Sequence, residues 1–151
     1  MRSATIATLI LVAAVGATAC SSEEDRAADQ AAATRVVEQF GTRLAHVSLL
    51  APPDELRDRI RDTYGPYVTT LQLGAWLADP STAPGRETSS PWPARIEIRA
   101  AERLGSTAFD VTGEVLYITA VDGEPILREP ITARVVRGPD DVWRIAEWSE
   151  G

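Results

Sequence analysis

The apolar residues of this chain change their period at Pro93, and that change limits the folds open to it. From Gln30 onward, Ala33, Val37, Phe40, Leu44 and Val47 recur at intervals of three and four. This is one face of a helix turned toward a core. "APPDELRDRIRDTYG" predicts a second helix, with two prolines and Asp54 at its start, Leu56 and Ile60 one turn apart, and Gly65-Pro66 as its stop. "YVTTLQLGAWLAD" predicts a third, with Tyr67, Leu71 and Ala75 spaced by four. Asp79 to Pro93, with four prolines, reads as a long ordered loop stiffened by Pro91-Trp92-Pro93.

Beyond Pro93 the alternation is two. Ile96 and Ile98 oppose Arg95, Glu97 and Arg99, and Phe109, Val111, Val115 and Tyr117 share a face. "DGEP" and "GPDD" supply turns, "ILREPITARVVR" returns, and "VWRIAEWS" closes the series. Pro130 lacks an amide proton and predicts a bulge or an edge position. The expected class is α+β: N-terminal helices on a curved four-stranded antiparallel sheet, the second strand the longest and one face polar.

Ahead of the helices, Met1 and Arg2 precede the uncharged run "IATLILVAAVGATA", Ile6 to Ala19. A basic start, an apolar stretch and small residues form an export signal. About 20 apolar residues are needed to cross a bilayer, so the run is short for a transmembrane helix. The single cysteine, Cys20, follows directly. Ala17, Thr18, Ala19 and Cys20 resemble the lipobox of bacterial lipoproteins, with alanine where leucine is most often found. That resemblance implies a diacylglyceryl thioether on Cys20 and cleavage before it. Two acyl chains anchor stably where one binds marginally. A free or intermolecular thiol is the alternative. The expected organisation is a signal peptide at 1–19, a lipidated Cys and short polar tether at 20–29, and one domain at 30–151. Its place is the extracytoplasmic face of the cell membrane.

Cleavage removes only Arg2 among the charged residues, taking the net charge from −7 to about −8. That surface argues against nucleic acid and anionic lipid as partners. All 15 basic residues are Arg, which excludes Schiff-base lysine chemistry. With His46 the only histidine and Cys20 the only cysteine, no ordinary zinc site is expected, nor any cofactor. His46 lies beside the helical stripe and reads as a solvated or locally bonded residue.

The order of elements, the hairpin lengths and the closing "WRIAEW", Trp143 to Trp148, resemble the NTF2-like, or cystatin-like, domains over residues 30 to 148. Small lipoproteins of the Gram-positive type with a "SPWP" turn before the sheet are also similar. The resemblance implies helices packed into a curved sheet around a conical pocket. It brings in ketosteroid isomerases and small dehydratases, which set a carboxylate or His against a Tyr or Asp donor in one cavity. Tyr64, Tyr67 and Tyr117 are the candidate donors lining a pocket here. Glu97, Glu102, Asp110 and Glu114 read as a solvated sheet face. Glu147 shares parity with Trp143 and Ile145 and is expected inside, unless Trp148 reverses the face through a bulge. No isomerase motif carries over residue by residue, so no catalytic residue is assigned.

A non-catalytic lipoprotein binding a ligand or an envelope partner is the reading these features support. A structural scaffold is the alternative, and an isomerase- or dehydratase-like enzyme a further one. The chain holds four Trp: Trp76, Trp92, Trp143 and Trp148. Trp92 and Arg86 in the long loop form a candidate binding surface, since aromatic and Arg residues are enriched in such patches. The competing expectation folds Trp92 back over the seam between helices and sheet.

Overall fold

A computed structural model describes residues 18–151, with side chains from Ser22 onward. The leader through residue 17 and the side chain of Cys20, on which the lipobox reading falls, lie outside the described residues. No helix among the described residues is long and apolar enough to cross a membrane.

Three helices pack against a four-stranded antiparallel sheet. The helices are α1 (Thr18–Gly41), α2 (Pro53–Tyr64) and α3 (Thr70–Ala78), with short 3-10 turns at Leu44–His46 and Pro80–Thr82. The strands β1 (Trp92–Leu104), β2 (Ala108–Ile118), β3 (Leu127–Arg137) and β4 (Trp143–Glu150) form a meander in chain order. The stretch expected as a polar tether, 20–29, is part of α1, and its residues 22–28 are solvent-exposed. The stripe Ala33, Val37, Phe40, Leu44 and Val47 is buried throughout, as its spacing requires.

In α2 the chain enters through Pro53 at the first helical position, where a missing N–H costs nothing. Asp54 follows in the first turn rather than capping, while Leu56, Ile60 and Tyr64 face the core. The third helix departs from expectation. Thr69 caps it by accepting from the Gln72 amide, so it starts at Thr70. Leu73, Trp76 and Leu77 turn inward instead, and Leu71 is 83% exposed. The cause lies in the preceding residues. Ile145 N–H donates to the Tyr67 carbonyl and Thr69 N–H to the Ile145 carbonyl, both at 2.9 Å, so Tyr67–Thr69 covers the free edge of β4 and is unavailable for helix.

The first strand, at 13 residues, is the longest, not the second. It begins at Trp92 because Trp92 and Pro93 already pair with Ile118 and Tyr117. The loop is correspondingly shorter than Asp79–Pro93. Pro130 lies in the interior strand β3, yet its position is locally an edge. Its carbonyl accepts from Gly151 N–H, so its nitrogen points past the end of β4, where no ladder bond is lost.

The inner sheet face carries Ile96, Phe109, Val111, Val115, Ile131, Ala133, Val135 and Ile145, all buried against the helices. Phe40 is the hub of the aromatic packing, with ring centroids 4.8 Å from Tyr64, 5.1 Å from Trp148 and 6.0 Å from a stacked Trp76. Each such side chain, fully buried, contributes about 1.5–3 kcal/mol. The outer face is polar. Glu97 and Glu114 stand directly across from one another, and Arg99 and Arg128 each bridge both. Arg134 similarly joins Asp110 to Glu147.

Candidate functional site

The inner face is apolar in its middle and polar at both ends, and the two ends are treated differently. At one end Arg103 of β1 and Arg137 of β3 converge on Asp29 of α1, at 3.2 and 3.1 Å. The Asp29 side chain is 17% exposed and the two arginines about 30%, so α1 closes this end by charge pairing. Arg103 and Arg137 also lie over the Phe109 and Trp143 rings, 5.3 Å from each centroid.

At the opposite end Tyr117, Leu127, Glu129 and Glu150 are left uncovered by the helices. Register places them on the inner face: Tyr117 pairs with Leu127, Val115 with Glu129, and Ile131 with Glu150. The loop 81–91 and Leu49 form the opposing wall of a groove of about 420 Å³, with Ala83, Pro84 and Glu87 among its lining. The loop is held there from behind. Tyr64 O–H, fully buried, donates to the Pro84 carbonyl at 2.7 Å. Arg86 N–H donates to Val47 O and Leu49 N–H to Arg86 O, tying the loop to the end of the first helical layer.

The groove chemistry is acidic. Tyr117 O–H donates to Glu129 Oε2 at 2.7 Å, and Trp148 Nε1–H to Glu150 Oε1 at 3.2 Å. Burial, with the Glu129 hydrogen bond and charge, pushes the Tyr117 hydroxyl far above its ordinary value. Glu150 is exposed as a whole residue, but its carboxyl is partly withdrawn from water. That withdrawal raises its pKa, with Glu129 and Glu87 adding repulsion, against the opposing pull of the Trp148 N–H. Among the described residues none of Glu87, Glu129 and Glu150 has an arginine ion-pair partner, whereas Glu97, Asp110, Glu114 and Glu147 of the outer face are bridged by Arg. No group of three or more His, Cys, Asp or Glu among the described residues is placed to hold a metal ion.

The sequence-derived residues fall into distinct places. Tyr117 lines the groove. Tyr64 does not: it is a core residue whose hydroxyl is consumed by Pro84, because the α2 stripe aims it inward. Tyr67 packs at the core margin, its hydroxyl accepting from Arg43 Nε at 3.1 Å, and borders a different cleft. Glu147 is a correction. The register slips between Arg134 and Val135, so Glu147 pairs with Arg134 on the outer face, 3.4 Å from its guanidinium. The same slip turns Trp148 inward against Phe40 and sets Glu150 inside.

Trp92 and Arg86 do not form one patch. Trp92 pairs with Ile118, which is buried on the outer face rather than in the helix–sheet core, so Trp92 is half-buried there and is no plug over the seam. Arg86 leaves the acidic groove and borders a cleft on the other side of the loop.

The groove residues overlooked in the sequence are Glu87, Glu129 and Glu150. Glu129 shares parity with Ile131, Ala133 and Val135 and was readable as inward; the adjacent Pro130 draws attention away from it. Comparison with protein-family models, curated proteins and solved structures finds no match for this chain.

Proposed function

We propose that this chain is an extracytoplasmic lipoprotein of the NTF2-like kind, anchored by a lipid on Cys20, whose domain binds a ligand or an envelope partner without chemical turnover. The observation that carries the binding role is the Tyr117 groove: an open concavity of mixed polar and apolar lining with three glutamates that have no arginine partner among the described residues, in a chain that pairs many of its other carboxylates. A small organic cation or the cationic group of a partner complements it, because pairing it relieves repulsion among Glu87, Glu129 and Glu150. The anchoring half rests on the lipobox-like sequence.

Spermidine is a suitable probe cation. Calorimetric titration of the full chain in detergent is expected to show saturable binding that Glu129→Gln with Glu150→Gln abolishes. Binding no stronger than that of sodium, or binding indifferent to both substitutions, rejects the groove. Metabolic labelling with a palmitate analogue tests the anchor, and equal labelling of wild type and Cys20→Ala rejects it.

One observation favours an enzyme as the second reading. Tyr117 and Glu129 bring a phenol donor and a carboxylate together at the wall of one open cavity, the pair of group types that acid–base catalysis on a carbonyl compound uses once substrate replaces their mutual hydrogen bond. Turnover in a screen of small carbonyl compounds, lost in Tyr117→Phe with binding retained, would replace the non-catalytic reading.

A further inference from the structure

The backbone bridge between Ser48 and Arg86 divides two chemical environments. Gly85, Glu87 and Leu49 face the acidic groove, while Arg86 and Ser48 face a cleft of about 240 Å³ that also touches His46, Glu55 and Arg59. A second cleft of about 350 Å³, between Arg43, Asp62 and Tyr67, shares His46 and Arg59 with the first. We propose that these joined clefts are a binding site for a phosphate-type oxyanion, held by Arg43, Arg59 and Arg86 beside His46.

The guanidinium donors bordering these clefts are positioned but not consumed. Arg86 is half-buried, and its backbone is fixed by hydrogen bonds of 2.8 and 3.0 Å to Val47 and Leu49. Its guanidinium makes no hydrogen bond or ion pair with the described residues. Arg43 uses Nε on the Tyr67 hydroxyl and lies 5.9 Å from that ring centroid, which orients the group and leaves its two terminal nitrogens uncommitted. Arg59 forms an i,i+4 ion pair with Glu55 at 3.7 Å, too long for a hydrogen bond, so its N–H donors are not consumed by it.

The arginines of the outer sheet face differ. Arg99, for example, is engaged by Glu114 at 2.6 Å and by Glu97 at 2.8 Å. Glu55 and Asp62 are the carboxylates bordering the clefts, so three guanidiniums leave a local positive excess in a chain of net charge −7. Guanidinium forks match tetrahedral oxyanions through several N–H donors at once. A multiply charged anion gains from all three, and from the imidazole.

His46 is the only histidine, so its imidazole proton signal in the NMR spectrum needs no assignment. Inorganic phosphate added to the full chain in detergent at constant ionic strength is expected to move that signal saturably. Arg86→Gln and Arg43→Gln should each weaken binding about tenfold, the loss of one charge-assisted contact. Arg95→Gln, exposed on the outer face, should leave it unchanged. A melting curve for each variant separates lost binding from lost fold.

Free phosphate and a lipid headgroup present the same chemistry, and vesicles of phosphatidylcholine with or without phosphatidic acid distinguish the two sources. Sedimentation that depends on both phosphatidic acid and Arg86, with no response to free phosphate, assigns the site to the headgroup. A non-saturating shift matching that of chloride together with Arg86-independent sedimentation overturns the proposal. So does unchanged phosphate affinity in Arg86→Gln.

Discussion

Replacing Asp29 with alanine tests how α1 is fastened to the sheet. Its carboxylate accepts from Arg103 Nη2 at 3.2 Å and Arg137 Nη1 at 3.1 Å, contacts linking residues 74 and 108 positions apart in sequence. Hydrogen bonds to charged groups contribute about 1.5–3 kcal/mol each. Two such bonds suggest roughly 3–6 kcal/mol, and two corrections lower that figure. All three side chains keep some solvent contact, which screens the pairing. Arg103 Nη1 is already buried without a hydrogen-bond partner, so the clamp carries a cost even when intact. The expected loss is about 2–4 kcal/mol, part of it from two guanidiniums left facing one another. In a domain of this size each kcal/mol lowers Tm by roughly 3–5 °C, so Tm should fall by about 6–20 °C. Chemical denaturation followed by circular dichroism measures this directly. Asp54→Ala is the comparison, because its partner Arg57 lies at a similar 3.3 Å while the Asp54 side chain is fully solvated. That variant should change stability by under about 0.5 kcal/mol. Equal losses in the two variants would refute the claim that burial gives the Asp29 clamp its strength. A loss below about 0.5 kcal/mol in Asp29→Ala would show that the apolar stripe alone holds α1.

Three further outcomes follow from the same geometry. Phe40→Ala should cost about 3–5 kcal/mol by urea denaturation, since the ring is fully buried among Tyr64, Trp76 and Trp148. Glu147→Gln should change stability by under about 0.5 kcal/mol and leave any groove binding intact, because the side chain is 68% exposed on the outer face. The Glu150 carboxyl binds its proton more tightly in the folded chain than in the unfolded one. Its contribution is therefore favourable at acid pH and is lost as pH rises from the ordinary glutamate value through the raised one. Glu150→Gln should remove that part of the pH dependence, read from paired melting curves across the acid range; an unchanged difference between acid and neutral pH would show that the carboxyl is not desolvated.

The sequence by itself determined the class of fold, because period is a local property. A 3.6-residue stripe from Ala33 to Val47 and two-residue alternation after Pro93 each bury one face only as a helix and a strand. The inward placement of Tyr117 was legible for the same reason. What only the tertiary structure decided were the places where long-range pairing shifts a local pattern. The register slip between Arg134 and Val135 reverses parity, moving Glu147 out and bringing Trp148 and Glu150 in. Covering the β4 edge takes Tyr67–Thr69 out of the third helix and exposes Leu71. The groove itself needs the ends of β2, β3 and β4 beside the loop 81–91, segments whose proximity no short window records. Charge followed the same division: the acidity of the chain is a sum over residues, but which carboxylates find an arginine depends on the distances that folding sets.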